Sequence, residues 1–271
     1  MLINAHWLKK NIKKSNLKIL DCSWYLPNSK RNAKKEFINM RIPGAIFFDI
    51  DDICDKKSNF PHMLPSYKYF ENKISDLGIN TEDILVIYCK EGVLSSPRVW
   101  WMFKYFGHKE VFVLNGGLKA WMLANGMINY GPINIKKTKY KVKRVNVNFN
   151  STYEEIMEMK KYKERFNILD ARPKNRFLEL EEEPRENIGR GKIEGSLNLD
   201  FNLLDTRGFF KSKKTIRSVY KNILKKNYKV ICSCGSGVSA CALALTLSYI
   251  GNYNWSVYDG SWTEWYLKTK S

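Results

Sequence analysis

The chain has 271 residues, of which 44% are hydrophobic and 14% aromatic. This length accommodates two domains of about 130 residues each, and the composition excludes a disordered chain. No window offers the roughly 20 apolar residues of a membrane helix, and residues 1–16 lack the apolar stretch of a signal peptide. We therefore expect a cytoplasmic protein that has no membrane partner.

The formal net charge is +19. Such a charge is typical of proteins that bind nucleic acid or an anionic surface. Here the lysines are spread over the whole chain, and no arginine-rich arm or zinc-finger spacing accompanies them. This diffuse pattern favours compositional drift over a nucleic-acid partner, although a basic nucleic-acid binder stays an alternative.

Six cysteines occupy positions 22, 54, 89, 232, 234 and 241, and no two of them form a Cys-x-x-Cys pair. The spacing therefore predicts neither a zinc ribbon nor a dithiol redox motif. In a reducing compartment most of these residues are expected to be buried thiols.

The sequence contains an internal duplication. Five short segments recur in the same order 144 to 151 positions later: 20–22 at 169–171, 42–46 at 193–197, 85–88 at 230–233, 92–93 at 237–238, and Gly116 with Trp121 as Gly260 with Trp265. A nearly constant offset indicates two copies of one unit. We predict a first domain over 1–125, a polar, lysine-rich linker over 126–150 and a second domain over 151–271.

Each half alternates short apolar runs with helical patterns. The first half begins with a strand at 17–21. In the second half, strands are predicted near 167–171, 197–200, 228–233 and 255–258, and helices over 238–250 and 262–268. Short apolar runs that alternate with amphipathic segments are typical of an α/β fold with a mostly parallel sheet flanked by helices.

Residues 231–240 (Ile-Cys-Ser-Cys-Gly-Ser-Gly-Val-Ser-Ala) lead from a strand through a glycine-containing turn into a helix. In open α/β sheets, ligands bind at this end of a strand. Gly235 and Gly237 allow backbone N–H groups to turn inward as an anion-binding nest, to which the helix N-terminus adds its positive dipole end. Cys234 is therefore expected to be a nucleophilic thiolate. The alternative is a merely structural cysteine, which is our interpretation of Cys232 and Cys241.

The loop resembles that of the two-domain rhodanese family, in its 3-mercaptopyruvate sulfurtransferase branch, whose usual loop reads C-G-S-G-V-T-A. Ser239 replaces the threonine and keeps a hydroxyl group. Thiosulfate-preferring members typically carry C-R-K-G-V-T-A, whose cations suit a dianion, so the neutral Gly235 and Ser236 favour mercaptopyruvate. Phosphatases of the same fold use a longer loop that contains an arginine. The segment between Cys234 and Ala240 contains no arginine.

The resemblance covers nearly the whole chain. Further segments that carry it are 47–49 (FFD), 62–65 (HMLP), 96–102 (SPRVWWM), 183–185 (EPR) and 258–262 (YDGSW). It implies two tandem rhodanese-like domains, of which the second is catalytic and the first is a scaffold. It also implies a monomer that needs no metal or organic cofactor.

The resemblance further implies the reaction and the donor site. Cys234 would take sulfur from 3-mercaptopyruvate as a persulfide, release pyruvate, and pass the sulfur to cyanide or to a thiol, either a small one or a thioredoxin-like protein. The donor would lie against loop residues Gly235, Gly237, Val238 and Ser239. A thiosulfate sulfurtransferase and a non-catalytic sulfur carrier are the alternatives.

Two arginines match the carboxylate-binding pair of that family. Arg176 and Arg185 would hold the carboxylate of a 2-oxo acid with their planar guanidinium forks. Alternatively, they are solvated or pair with the glutamates of 179–183. The family usually has a glycine where this chain has Leu178-Glu179-Leu180, so the path of that segment is left open.

A proton relay is also implied, consisting of Ser236, His62 and Asp51. His62 would move protons between Ser236 and the donor thiol, and Asp51 would fix the tautomer of His62. Because His62 and Asp51 precede the second domain, this relay places the active site between the domains. The alternative is a purely structural His62, which is the role that we expect for His108 in a helix-to-strand turn.

Cys89 falls opposite Cys234 in the duplication, but its loop has one glycine and carries Glu91. A nearby carboxylate disfavours a thiolate, so we predict that Cys89 is not catalytic. After treatment with 3-mercaptopyruvate, a Cys234→Ala protein should carry no persulfide at position 89 in peptide mass spectra. Accumulation of persulfide at Cys89 would contradict this prediction.

Overall fold

The computed structural model describes residues 1–26, 28–91, 94–162, 165–206, 208–224 and 228–270. The chain divides into two compact units. The first comprises Met1–Lys56, Leu64–Asn146 and Arg207–Phe210, and the second comprises Lys57–Met63, Val147–Thr206 and Lys211–Ser271. No helix among the described residues is both long and apolar enough to span a bilayer.

The first unit is built on a parallel sheet of five strands in the order β1-β5-β4-β2-β3. The strands are β1 (Leu2–Ile3), β2 (Leu17–Asp21), β3 (Ala45–Phe47), β4 (Ile84–Tyr88) and β5 (Val111–Leu114). The helices of this unit are α1 (Ala5–Asn11), α2 (Ala33–Asn39), α3 (Tyr67–Asp76), α4 (Ser96–Tyr105) and α5 (Gly117–Leu123).

Helices cover both faces of a parallel sheet, which explains why its central strands are almost wholly apolar. The side chains of Leu85, Val86 and Ile87 in β4 are fully buried. Side-chain oxygens of Asn4, Asn32 and Ser66 cap the first turns of α1, α2 and α3. Such caps satisfy backbone donors that the helix itself leaves unpaired.

The segment predicted as a linker packs on the first unit up to Asn146. Tyr140 is buried, and its hydroxyl lies 3.0 Å from Nδ1 of His108. Nε2 of His108 lies 2.8 Å from the carbonyl oxygen of Asp83 and therefore donates to it. Burial lowers the pKa of His108, so this histidine is a neutral packing group in the turn between α4 and β5, as predicted.

The second unit repeats this architecture with a parallel sheet in the order β6-β12-β11-β7-β8. Counted along the chain, the remaining strands are β6 (Asn150–Ser151), β7 (Phe166–Asp170), β8 (Leu197–Asn198), β9 (Asp205–Thr206), β10 (Phe209–Phe210), β11 (Lys229–Ser233) and β12 (Trp255–Tyr258). Of these, β10 belongs to the first unit. The remaining helices are α6 (Tyr153–Lys161), α7 (Lys174–Phe177), α8 (Lys213–Ile223), α9 (Ala240–Ile250) and α10 (Ser261–Lys270), with short 3₁₀ turns at Val147–Phe149 and Phe201–Leu204.

The predicted strands and helices of the second half are confirmed, with two adjustments. α9 begins at Ala240 rather than at 238, because Gly237 has a left-handed backbone (φ 76°) and the chain completes its turn before the helix starts. The strand expected at 197–200 spans only Leu197–Asn198. Of the duplication marks, Gly92 and Val93 lie outside the described residues.

Asp21 ends β2 as a fully buried carboxylate. Its Oδ1 accepts hydrogen bonds from the backbone N–H and the hydroxyl of Ser23, at 3.0 and 2.6 Å. Burial nevertheless raises the pKa of Asp21 above its ordinary value, since these bonds and the charge of Lys90 oppose the effect only in part. Ionised Asp21 therefore destabilises the fold.

Asp21→Asn is expected to stabilise the protein at neutral pH. A carboxyl group whose folded pKa is raised contributes full stability below its unfolded pKa and loses it as the pH rises through the folded pKa. The difference between variant and wild type should therefore be small at about pH 4, near the ordinary pKa of an aspartate, and grow as the pH rises toward 7, as measured by thermal unfolding. The exposed control Asp76→Asn should show no such growth, and a pH-independent difference at position 21 would contradict the assignment.

Candidate active site

Cys234 directly follows β11, the central strand of the second sheet, which is paired with β7 and β12. It therefore lies at the carboxyl end of the sheet, where α/β proteins bind their ligands. The residue is only 2% exposed. The loop after it turns at Gly237 and enters α9, as the sequence predicted.

Helix α10 holds this loop from one side. Its first-turn amides of Trp262 and Thr263 donate to the carbonyl oxygens of Cys234 and Gly235, both at 3.0 Å. The Thr263 hydroxyl adds a bond of 2.7 Å to the Gly235 carbonyl. In a trans peptide the N–H points opposite to the preceding carbonyl, so the N–H groups of Gly235 and Ser236 point away from α10.

Ser261 completes this contact. Its hydroxyl accepts from the Cys234 N–H at 3.1 Å, donates to the Tyr258 carbonyl at 2.8 Å, and lies 4.0 Å from Sγ of Cys234. Ser261 is fully buried and has a left-handed backbone (φ 51°). Sequence reasoning gave residues 258–262 no role at the loop. Their only signal was that this segment belongs to the duplication and to the resemblance.

Arg185 joins the loop to His62. Its Nη2 donates to Oγ of Ser236 at 3.1 Å and lies 3.0 Å from Nε2 of His62. A guanidinium only donates, so Nε2 of His62 accepts and the neutral ring carries its proton on Nδ1. The three side chains of Ser236, His62 and Arg185 are thus assembled, but Arg185 bridges the other two, where the relay was expected to join Ser236 to His62 directly.

His62 has a left-handed backbone (φ 61°) and is 6% exposed. A non-glycine residue in this conformation costs free energy and persists only where its surroundings fix it. Its place beside Arg185 favours a functional role over a merely packed histidine.

Arg176 adopts the pairing that was weighed as an alternative. Its guanidinium contacts both carboxylate oxygens of Glu183, with Nε at 3.3 Å from Oε1 and Nη2 bonded to Oε2. Its Nη2 also lies 2.8 Å from where a Cβ atom would stand on Gly235. Arg176 therefore lies against the loop while its charge is shared with a buried carboxylate.

Arg172 and Asp170 extend this ion pair into the core. Arg172 donates to both carboxylate oxygens of Asp170 and, through Nη1, to Oε1 of Glu183 at 2.7 Å. Sequence reasoning missed Arg172, and it offered Glu183 only as one of several alternative partners for Arg176 and Arg185. The available signal was a charged Asp-x-Arg pair at the end of a buried strand, since Asp170 is the last residue of β7.

The structure shows the backbone course of residues 178–180, which the sequence did not predict. Glu179 takes a left-handed backbone (φ 67°) where the resembling sequences have a glycine nearby, and its carboxylate pairs with Lys192 at 2.9 Å. The chain thus makes a glycine-like turn without a glycine.

Asp51 belongs to the first unit. Its carboxylate accepts from Nε1 of Trp24, at 3.2 and 3.0 Å from its two oxygens. The role of Asp51 in fixing the tautomer of His62 stays a prediction.

Cys89 is 3% exposed, and burial raises the pKa of its thiol. Its Sγ donates to the Glu91 carbonyl oxygen at 3.4 Å, while the Glu91 carboxylate pairs with Arg31. Burial, rather than the charge of Glu91 assumed from the sequence, is therefore the main reason for a neutral Cys89. Burial likewise raises the pKa of Cys232 well above its ordinary value, and the Cys241 thiol donates to the Gly237 carbonyl.

The rhodanese-like domain model matches the chain twice, over residues 4–124 and 149–268. The chain belongs to the rhodanese family and carries two of its domains in tandem. It is 38% identical to mouse 3-mercaptopyruvate sulfurtransferase over 99% of this chain and 93% of that protein. It is 36% identical to rat thiosulfate sulfurtransferase over 98% and 92%. The crystal structure of the Tum1 protein from Saccharomyces cerevisiae superimposes with a TM-score of 0.91 at 34% identity, covering 99% of this chain and 95% of that one.

Gly235→Ala is expected to displace the Arg176 guanidinium, because the new methyl group would lie 2.8 Å from Nη2. The dissociation constant for a small carboxylate such as pyruvate, measured by calorimetry, should rise about tenfold. Gly251→Ala is the control: it strains a left-handed glycine at the end of α9 (φ 92°) but meets no atom within 4 Å, so it should lower stability by about 1 kcal/mol and leave binding intact. Unchanged pyruvate affinity in a folded Gly235→Ala protein would contradict the contact.

Proposed function

We propose that this protein is a sulfurtransferase that moves sulfur from 3-mercaptopyruvate to a thiol or cyanide through a persulfide on Cys234, releasing pyruvate. The observation that carries the proposal is the loop after β11. Two residues follow Cys234 there and contact an arginine. Gly235 lies against Arg176, and Ser236 accepts a hydrogen bond from Arg185. A nucleophilic thiol and two guanidinium groups suit a donor that bears sulfur and a carboxylate.

In the first half-reaction, the Cys234 thiolate attacks the sulfur of 3-mercaptopyruvate. An S–S bond forms, the C–S bond breaks, and its electron pair stays on carbon as the enolate of pyruvate. The donor thiol loses a proton and the enolate gains one. His62 can serve this exchange because its Nε2 is an acceptor beside Ser236 and Arg185.

In the second half-reaction, an acceptor thiolate or cyanide attacks the outer sulfur. The S–S bond breaks and Cys234 leaves as the thiolate, so no external oxidant or reductant is needed. The N–H groups of Gly235 and Ser236, which face away from α10, suit the negative charge that the sulfur carries in both half-reactions.

The donor preference rests on charge. Gly235 and Ser236 add no cation at the loop, and the charge of Arg176 is shared with Glu183. A monoanionic carboxylate fits such a site better than a dianion does. A thiosulfate sulfurtransferase is the second candidate, because the relatives include thiosulfate sulfurtransferases at 36% identity.

The organisation and setting of the enzyme complete the proposal. Residues 151–271 carry catalysis together with His62, whose segment Lys57–Met63 groups with the second unit. The rest of residues 1–125 serves as a scaffold, and 126–150 connect the two halves. The acceptor is a thioredoxin-like protein, a small thiol or cyanide, and the protein acts as a cytoplasmic monomer. The six cysteines are all free thiols, which suits a reducing compartment.

Mass spectrometry after treatment with 3-mercaptopyruvate should find a gain of one sulfur atom, about 32 Da, on the peptide of Cys234. Steady-state kinetics should show higher kcat/KM for 3-mercaptopyruvate than for thiosulfate, and Cys234→Ser should abolish both activities. Cys54→Ser, which removes a thiol of the first unit, is the matched control and should keep both. A wild-type protein without an adduct would instead indicate a non-catalytic carrier, and higher kcat/KM with thiosulfate would indicate the second candidate.

A further inference from the structure

A buried chain of four alternating charges ends at the sulfur loop. It runs from Asp170 through Arg172 and Glu183 to Arg176. Arg172 lies 2.7 Å from Asp170 (Nη2 to Oδ2) and 2.7 Å from Glu183 (Nη1 to Oε1), and Glu183 also pairs with Arg176. We call these four residues the charge chain. Two carboxylates oppose two guanidiniums, so the charge chain is neutral as a whole.

The charge chain is largely shielded from solvent. The side chains of Asp170, Arg172 and Glu183 are 1%, 0% and 4% exposed, and that of Arg176 is 17% exposed. Nη2 of Arg172 also donates to the Gly191 carbonyl at 2.9 Å. Removing one partner of a buried pair leaves an uncompensated charge, so each ion pair of the charge chain is costly to break.

Glu183 is the member that controls Arg176. Among the residues that the structure describes, the hydrogen-bond partner of the Arg176 side chain is Glu183, which it contacts through Nε and Nη2. The Glu183 Oε2 atom itself lies 3.6 Å from the Cβ position of Gly235. A neutral ion pair, and not a bare cation, therefore forms the wall of the loop beside the residue that follows Cys234.

We propose that Glu183 is a positioning and specificity-determining residue. It holds the Arg176 guanidinium against Gly235 and cancels its charge, so the site accepts a monoanionic carboxylate donor and discriminates against a dianionic one. This inference rests on the proposed function. It goes beyond that function by assigning the selection of donors by their charge to Glu183, a residue that does not touch the reacting sulfur.

Glu183→Gln keeps the shape of the side chain and unmasks the charge of Arg176. An added positive charge attracts a dianion more strongly than a monoanion. The ratio of kcat/KM for 3-mercaptopyruvate over that for thiosulfate should therefore fall about tenfold, mainly through a lower KM for thiosulfate that rises again with added salt.

Glu182→Gln is the matched control. It makes the same chemical change one residue away, on a side chain that is 70% exposed and pairs with Arg190. The donor ratio of this variant should stay within about twofold of wild type, because exposed ion pairs are screened by solvent. If folded Glu183→Gln keeps the wild-type ratio, or lowers activity equally on both donors, the proposal is overturned.

A second pair of variants covers the case in which Glu183→Gln does not fold. Arg176→Gln alone leaves the Glu183 carboxylate in excess, whereas Arg176→Gln combined with Glu183→Gln restores neutrality. The donor ratio should be about tenfold higher in the single variant than in the double variant, because the excess carboxylate repels a dianion more strongly. Equal ratios would show that the charge of Glu183 does not act on the donor.

The two proposals can fail separately. If wild type forms no Cys234 persulfide with either donor, the proposed function fails. The role of Glu183 is still tested by calorimetric binding of pyruvate and sulfate to the same variants. Preferential strengthening of sulfate binding in Glu183→Gln supports that role, and equal changes for both anions overturn it.

Discussion

The orientation of two peptide groups, those following Cys234 and Gly235, is the constraint on which the site depends. Their carbonyl oxygens are taken by the first turn of α10, which turns the N–H groups of Gly235 and Ser236 away from that helix. A nest of amides binds an anion only if its successive N–H groups point toward the same side of the chain. Helix α10 provides this restraint, and the left-handed Gly237 lets the chain then enter α9.

The two arginines beside this loop have different hydrogen-bond partners. Arg176 and Arg185 both lie beside loop residues, yet their partners differ: Arg176 is held by Glu183, while Arg185 donates to the neutral Ser236 and His62. The same loop with bare cations would favour more highly charged anions. The chemistry of the loop is thus set partly by residues such as Glu183 and Arg172, which sit behind the arginine nearest to it.

The sequence predicted the fold well because the fold depends on local and repeated patterns. The apolar runs that become β7, β11 and β12 are short and bounded by polar residues, and the duplication predicted that both halves share one architecture. Cys234, Gly235 and Ser236 could be selected for the same reason, since strand, turn and helix lie within ten residues of each other.

The rest of the site depends on contacts that no local pattern encodes. Ser261 and Thr263 reach the loop from nearly thirty residues away, and Arg185 separates Ser236 from His62. The pairing of Arg176 with Glu183 rather than with solvent follows from burial beside Arg172, which requires the folded chain. Cys89 likewise shows that burial is not evident from the sequence. The sequence predicted a neutral thiol because of the nearby Glu91 charge, whereas the main cause is burial.

A crystal structure of the protein after treatment with 3-mercaptopyruvate would test the central claim most directly. We expect one added sulfur on Cys234, within hydrogen-bonding distance of the N–H groups of Gly235 and Ser236 and on the side of the loop opposite α10. An added sulfur directed toward Ser261 and α10, or bound at another cysteine, would contradict the account.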